Sequence, residues 1–143
     1  MEKDKIRVAY VGENFRLYGG LCSSISPDKY EIDRVKGLVE DSRRPIDGLI
    51  VDAGSVSPEF MRIYHRLNAN RLTTHGRIPL MVVSPSDSVD HARRFMEEEN
   101  VDYYASLKDV DATVQDLSHR IRELTFRKNN TSVYRASYCL KCR

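Results

Sequence analysis

Polar side chains that could do chemistry stand directly after four apolar runs of the sequence. They are Gly12-Glu13-Asn14, Asp52-Ala53-Gly54, Ser84-Pro85-Ser86 and Lys108. If the apolar runs are strands of one parallel sheet, these residues meet at a single edge, because ligands bind outside the carboxyl ends of such strands. Two carboxylates there suit a hard divalent cation, while a hydroxyl and an ammonium suit phosphoryl oxygens. The pattern therefore predicts a site for an anionic ligand that is bound with the help of a metal ion.

Each of these residues also has a purely structural interpretation. Asp52 could cap a helix or form a turn, and Ser84 could belong to a turn before its proline. Lys108 could be a solvated surface lysine. Glu13 and Asn14 could cap the first helix, where side-chain oxygens accept hydrogen bonds from free backbone N–H groups and the positive end of the helix dipole stabilises acids.

The elements that must position these residues are predicted from an alternation of strand-length apolar runs with segments of helical period. This alternation is typical of an α/β fold with a parallel sheet whose helices cover both faces. The predicted strands are Ile6–Val11, Tyr30–Val35, Gly48–Val51, Leu80–Val83 and Val101–Ala105.

Helices are predicted between these strands and after the last one. The final helix has the clearest period, with Asp109 or Asp111 as its N-cap. Its apolar face is Val110, Val114, Leu117, Ile121 and Leu124. A second helix should begin at Ser57, followed by a proline that suits the first helical position, and a third should cover Ser88–Glu99. The helix after the first strand is expected to be broken or to begin late, because Gly19-Gly20 lies in its interior and glycine disfavours helix there.

Composition predicts one soluble domain in a reducing compartment. The 143 residues are 41% hydrophobic and 31% charged, enough apolar material for one core. We expect neither a membrane span nor a secretory signal, because every apolar stretch is short. Cys22, Cys139 and Cys142 are too few for a disulfide scaffold, which favours a cytoplasmic location. The last two have the spacing of half a zinc knuckle, whereas zinc needs four ligands.

The charge distribution separates a body from a tail. The segment from Arg127 to Arg143 carries five Lys/Arg and no acid, whereas the residues before it carry 18 basic and 21 acidic side chains. An acidic body does not suit nucleic acid, so a nucleic-acid or zinc module in the tail ranks last among the hypotheses.

From Ile6 to Phe126 the sequence resembles the receiver domain of two-component response regulators. Asp47-Gly48-Leu49-Ile50-Val51-Asp52 is similar to the strand that ends in the phosphoacceptor aspartate. Pro79-Leu80-Met81-Val82-Val83-Ser84 resembles the strand that ends in a Thr or Ser, and Asp102-Tyr103-Tyr104 leads to Lys108. The resemblance implies a flavodoxin-like, five-stranded sheet with strand order 2-1-3-4-5. It divides the chain into a receiver-like domain, 1–126, and a basic tail, 127–143, which is a linker or the start of a further segment.

The resemblance implies a role for each site residue. Asp52 would accept a phosphoryl group from a histidine kinase or phosphotransfer protein, and Ser84 and Lys108 would bind the phosphoryl oxygens. Glu13, Asp52 and the Gly54 carbonyl would ligate magnesium. Tyr104 would be the aromatic switch near the surface that contacts a downstream protein. The domain would signal through protein–protein contacts and would not be an enzyme in the ordinary sense.

Two departures from the receiver pattern weaken this site. Gly12 stands where receivers have the first of two acids, so the magnesium site loses a ligand and is predicted to be weak or absent. Lys108 is followed by Asp109 instead of proline and falls one residue late, which turns a strand side chain to the other face. A pseudo-receiver that binds its partner without phosphate is therefore an alternative. A flavodoxin-like domain for a small anion or nucleotide is a further alternative, and homodimerisation stays open.

Overall fold

The strands of the computed structural model lie where the apolar runs predict them. The structure describes residues 5–38, 46–71, 77–84, 101–107 and 109–129. The strands are β1 (Ile6–Val11), β2 (Tyr30–Val35), β3 (Gly48–Asp52), β4 (Leu80–Ser84) and β5 (Tyr103–Ser106). All pair in parallel, in the order β2-β1-β3-β4-β5, so the flavodoxin-like order is confirmed.

Three helices and a short 3-10 turn lie within the described residues. The helices are α1 (Phe15–Ser24), α2 (Pro58–Arg71) and α3 (Val110–Asn129), and the turn is Ala53–Ser55. The Ser57 hydroxyl accepts the Phe60 N–H at 3.1 Å, which confirms the predicted start of α2. Asp109 accepts the Asp111 N–H at 3.0 Å and is the cap of α3. The predicted helix Ser88–Glu99 lies outside the described residues.

Helices cover both faces of the sheet, and each face has its own core. On one face α1 and α3 pack against side chains that include Val8, Tyr10, Ile50 and Met81. On the other face α2 packs against side chains that include Ala9, Val11, Leu49, Val51 and Val82. Alternate residues of β1 and β3 therefore enter opposite cores, as the two-residue period of a strand requires.

The prediction that α1 is broken or begins late is wrong. The helix runs unbroken through both glycines, and Asn14 caps it by accepting the Leu17 N–H at 3.0 Å. A Cβ added to Gly20 would lie 2.7 Å from Cγ2 of Val114 on α3, whereas one added to Gly19 would meet nothing within 4 Å. The close packing of α1 on α3 therefore explains Gly20 and outweighs its unfavourable helix propensity.

β5 begins two residues later than predicted, because Asp102 acts as a clamp. Its carboxylate accepts the Leu80 N–H at 2.7 Å and forms a bidentate pair with Arg77, with distances of 2.6 and 3.1 Å. Arg77 also donates to the Tyr64 hydroxyl at 3.1 Å. This network fixes the amino ends of β4 and β5, at the edge of the sheet opposite the predicted site.

None of the helices within the described ranges combines the length and apolar character that a bilayer-spanning helix needs.

Candidate functional site

Asp52 lies at the carboxyl end of β3, in the middle of the sheet, and both of its carboxylate oxygens accept hydrogen bonds. The Tyr10 hydroxyl donates to Oδ1 at 2.9 Å. The backbone N–H of Glu13 donates to Oδ2 at 3.3 Å. The carboxylate is therefore held by a phenol from below and by an amide from the loop after β1. Glu13 reaches Asp52 through its main chain, and its side chain is exposed.

Gly12 gives the Tyr10 hydroxyl and the Asp52 carboxylate room to meet. A Cβ on residue 12 would lie 2.3 Å from Oδ2 and 2.5 Å from Cγ of Asp52, and 2.6 Å from the Tyr10 hydroxyl. These distances are far inside van der Waals contact, so a side chain there would force both groups to move. The space that an acid at position 12 would need is thus taken by Tyr10 and Asp52.

The Tyr10 hydroxyl also connects Asp52 to the start of α1. It accepts the backbone N–H of Asn14 at 3.0 Å while donating to Asp52. Asn14 in turn caps α1 through its own side chain. A continuous hydrogen-bonded path therefore runs from the end of β3 through one phenol to the first turn of the helix.

Arg34 at the carboxyl end of β2 fixes the same loop from outside. Its Nη1 donates to the Gly12 carbonyl at 3.0 Å. Its guanidinium carbon lies 4.6 Å from the centroid of the Phe15 ring, within the range of a cation–π contact. The loop from Gly12 to Asn14 is thus held through a carbonyl, two N–H groups and a helix cap.

The environment of Tyr10 keeps its hydroxyl protonated. The side chain is fully buried, and its ring stacks on Tyr18 with centroids 6.5 Å apart. Burial raises the pKa of the Tyr10 hydroxyl, the Asn14 N–H that it accepts lowers this pKa in part, and the hydrogen bond to Asp52 and the negative charge of Asp52 raise it again. Because the phenol retains its proton, it can act as a permanent donor to the carboxylate.

The other predicted phosphate ligands lie on the neighbouring strands. Asp52 is in register with Val83, so Ser84 is one residue further along β4, where it is buried. The Ser84 carbonyl accepts the Leu107 N–H at 2.7 Å, which ties the ends of β4 and β5 together. Lys108 lies outside the described residues. Tyr104 is half-buried on β5 and packs against the core beneath α2, where its role as a switch stays a prediction.

The residues that the resemblance assigned to magnesium offer a cation few ligands. A hydroxyl proton and an amide proton already face the Asp52 carboxylate, and Gly12 contributes no side chain. Gly54 lies in the 3-10 turn and could offer a cation only its main-chain carbonyl. Within the described part of the chain no group of three or more His, Cys, Asp or Glu could hold a metal ion.

Comparison with known proteins identifies the fold. The response regulator from Thermotoga maritima superposes with a TM-score of 0.61 at 16% identity, over 85% of this chain and 98% of that one. The chain has the receiver fold. The ChxR receiver domain from Chlamydia trachomatis gives a TM-score of 0.59 at 10% identity, over 84% and 99% of the two chains. HP1043, an orphan response regulator of H. pylori, gives 0.53 at 19% identity, over 82% and 97%.

No family model matches the sequence, and neither does any curated protein. The likeness therefore rests on the arrangement of strands and helices.

Sequence reasoning missed Tyr10, which it treated as one more apolar strand residue. Two signals could have found it. Side chains of a strand alternate between faces, so Tyr10 lies on the same side as Gly12, one step below it. A buried tyrosine also needs a partner for its hydroxyl, and the nearest polar group at that edge is Asp52.

Proposed function

We propose that this chain is an atypical receiver-like signalling domain that acts through protein–protein contacts and does not require a phosphoryl group on Asp52. One observation carries the proposal: the Asp52 carboxylate accepts hydrogen bonds from Tyr10 and Glu13, and position 12 has no acid. A phosphoacceptor must present a free oxygen to the donor, with a cation to offset the incoming charge. Here each oxygen already accepts one internal hydrogen bond, which competes with an incoming phosphoryl group.

The proposal gives the receiver scaffold a mechanical role. Asp52, Tyr10 and Asn14 fix the relative positions of β3, β1 and α1, so the domain presents one surface to its partner at all times. The alternative is transfer from a histidine kinase or phosphotransfer protein to Asp52, with Ser84 and Lys108 on the phosphoryl oxygens. In that case Tyr10 would have to leave the carboxylate before the reaction.

We propose the surface of β5 and α3 as the face that a downstream protein contacts. The Tyr103 hydroxyl donates to Asp116, and the Arg120 guanidinium carbon lies 4.6 Å from the centroid of the Tyr103 ring. Arg120 also pairs with Glu123 at 3.2 Å. Aromatic and arginine side chains that are already held in place lose little entropy on binding, which favours a protein partner there. Neither a membrane nor a nucleic acid is part of this proposal.

Intact-mass measurement after incubation with a small phosphodonor and magnesium tests the proposal. The wild-type chain is compared with Asp52→Asn and with a sample without magnesium, and a phosphorylatable receiver in the same tube proves that the donor is active. We expect the wild-type mass to stay unchanged while the reporter gains one phosphate. A one-phosphate gain that disappears in both controls would overturn the proposal and establish a working phosphoacceptor.

A further inference from the structure

We infer that Tyr10 is a positioning residue whose hydroxyl takes the space that the first acid of a receiver site would need, and that it couples Asp52 to the start of α1. This inference rests on the proposed function and adds its regulation: the conformation that other receivers change by phosphorylation is fixed here by a side chain. Tyr10 and Gly12 act as a pair, since the phenol needs the space that an acid would fill.

The geometry of the hydroxyl supports a coupling role. A core tyrosine needs only one partner, yet Tyr10 donates to Asp52 and also accepts from the Asn14 N–H, with both distances close to 3 Å. The Asn14 side chain then caps the first turn of α1. Loss of the hydroxyl would leave a half-buried carboxylate oxygen and the Asn14 N–H without this partner at once.

Tyr18 provides a matched control within the same core. Its ring stacks on that of Tyr10, but its hydroxyl donates to the Ile32 carbonyl at 3.2 Å, away from Asp52. Tyr10→Phe and Tyr18→Phe each remove one hydroxyl from neighbouring rings. Only the first change breaks the path from Asp52 to α1.

Amide hydrogen exchange measured residue by residue tests the coupling. In Tyr10→Phe we expect the Glu13 and Asn14 amides to exchange at least about tenfold faster than in wild type, a change that corresponds to the loss of one ordinary hydrogen bond. In Tyr18→Phe these two amides should exchange as in wild type. Unchanged exchange at Glu13 and Asn14 in Tyr10→Phe would overturn the inference.

Magnesium titration tests the exchange of an acid for a phenol. The wild-type chain, Tyr10→Phe, Gly12→Asp and the Tyr10→Phe/Gly12→Asp double variant are titrated with Mg²⁺ alone while amide NMR shifts near Asp52 are followed. Loss of even an indirect partner commonly changes metal affinity by about 10- to 100-fold, so a restored carboxylate should tighten binding at least about tenfold in the double variant. Binding by wild type as tight as by the double variant would contradict the inference.

The outcomes distinguish this inference from the proposed function. If wild type gains a phosphate but Tyr10→Phe still accelerates exchange at Asn14, the proposed function fails and the coupling stands. If wild type stays unmodified while Tyr10→Phe leaves exchange at Glu13 and Asn14 unchanged, the coupling fails and the proposed function stands. Tyr10→Phe keeps the buried ring, so the exchange measurement does not depend on the folding of the Gly12→Asp variants.

Discussion

Replacement of Gly12 by alanine should destabilise the fold through its effect on Tyr10 and Asp52. The new Cβ would lie 2.3 Å from Asp52 Oδ2 and 2.6 Å from the Tyr10 hydroxyl, so both groups must move by about 1 Å to reach ordinary contact. Overpacking of this kind costs about 1–3 kcal/mol, and loss of a hydrogen bond to a charged group costs about 1.5–3 kcal/mol. We expect Gly12→Ala to lower the free energy of unfolding by about 3 kcal/mol.

A double-mutant cycle with Tyr10→Phe separates the two contributions. Tyr10→Phe alone should cost about 1–2 kcal/mol, because the Asn14 N–H and Asp52 lose a partner. Once the hydroxyl is absent, Gly12→Ala collides with Asp52 only, and its cost should fall to about 1 kcal/mol. The two changes should therefore be non-additive by about 1–2 kcal/mol.

Urea denaturation followed by circular dichroism measures this cycle, since the sequence has no tryptophan for fluorescence. Gly54→Ala is the matched control near the same carboxylate, because a Cβ there would meet no atom within 4 Å. It should change stability by less than about 0.5 kcal/mol. Additivity of Gly12→Ala and Tyr10→Phe within about 0.5 kcal/mol would show that a Cβ at position 12 does not contact the Tyr10 hydroxyl.

Three further predictions follow from packing, titration and the clamp at the opposite edge. Gly20→Ala should lower the free energy of unfolding by about 1–3 kcal/mol, because its Cβ would lie 2.7 Å from Val114. Gly19 is exposed, so Gly19→Ala should raise the free energy of unfolding by about 0.5–1 kcal/mol. Equal effects of the two substitutions in urea denaturation would contradict the packing of α1 on α3. Tyr10 stays protonated in the folded chain. Below pH about 10 the unfolded phenol also keeps its proton, so Tyr10 does not make the free energy of unfolding depend on pH. Above that pH the unfolded phenol ionises, and the free energy of unfolding falls. Melts across alkaline pH should show a shallower fall for Tyr10→Phe, by up to about 1.4 kcal/mol per pH unit, and identical slopes would argue against a buried phenol. Arg77→Ala should lower the free energy of unfolding by about 1 kcal/mol, because its pair with Asp102 is bidentate but its side chain is 41% exposed. An unchanged free energy of unfolding in urea denaturation would show that this ion pair does not stabilise the sheet.

The sequence was most informative where burial alone decides the structure. β1 begins and ends at the predicted residues, and its last four residues are buried in the sheet. The glycine pair of α1 misled the prediction, because helix propensity is a local quantity and the approach of Val114 on α3 is not. β5 was placed too early because the side chain of Asp102 takes part in the ladder of hydrogen bonds before the strand begins.

The position of the candidate site could be predicted from the sequence, but the hydrogen bonds of Asp52 could not. Asp52 follows an apolar strand, which is enough to place it at the carboxyl edge of the sheet. Its hydrogen bonds depend on Tyr10, a residue 42 positions away, which the prediction counted as an apolar strand residue and not as a hydroxyl that needs a partner. Gly12 was interpreted as a lost ligand, whereas in three dimensions it is the space that the phenol and the carboxylate share.

Observation of the Tyr10 hydroxyl proton by NMR is the most direct test of the central claim, that a phenol is hydrogen-bonded to the Asp52 carboxylate. A buried and hydrogen-bonded hydroxyl exchanges slowly enough to give its own resonance, which Tyr10→Phe would remove and which identifies it. We expect this resonance in wild type, shifted in Asp52→Ala and unchanged when excess Mg²⁺ is added. Its absence from wild type, together with a Mg²⁺-dependent shift of the Asp52 carboxyl carbon, would contradict the account.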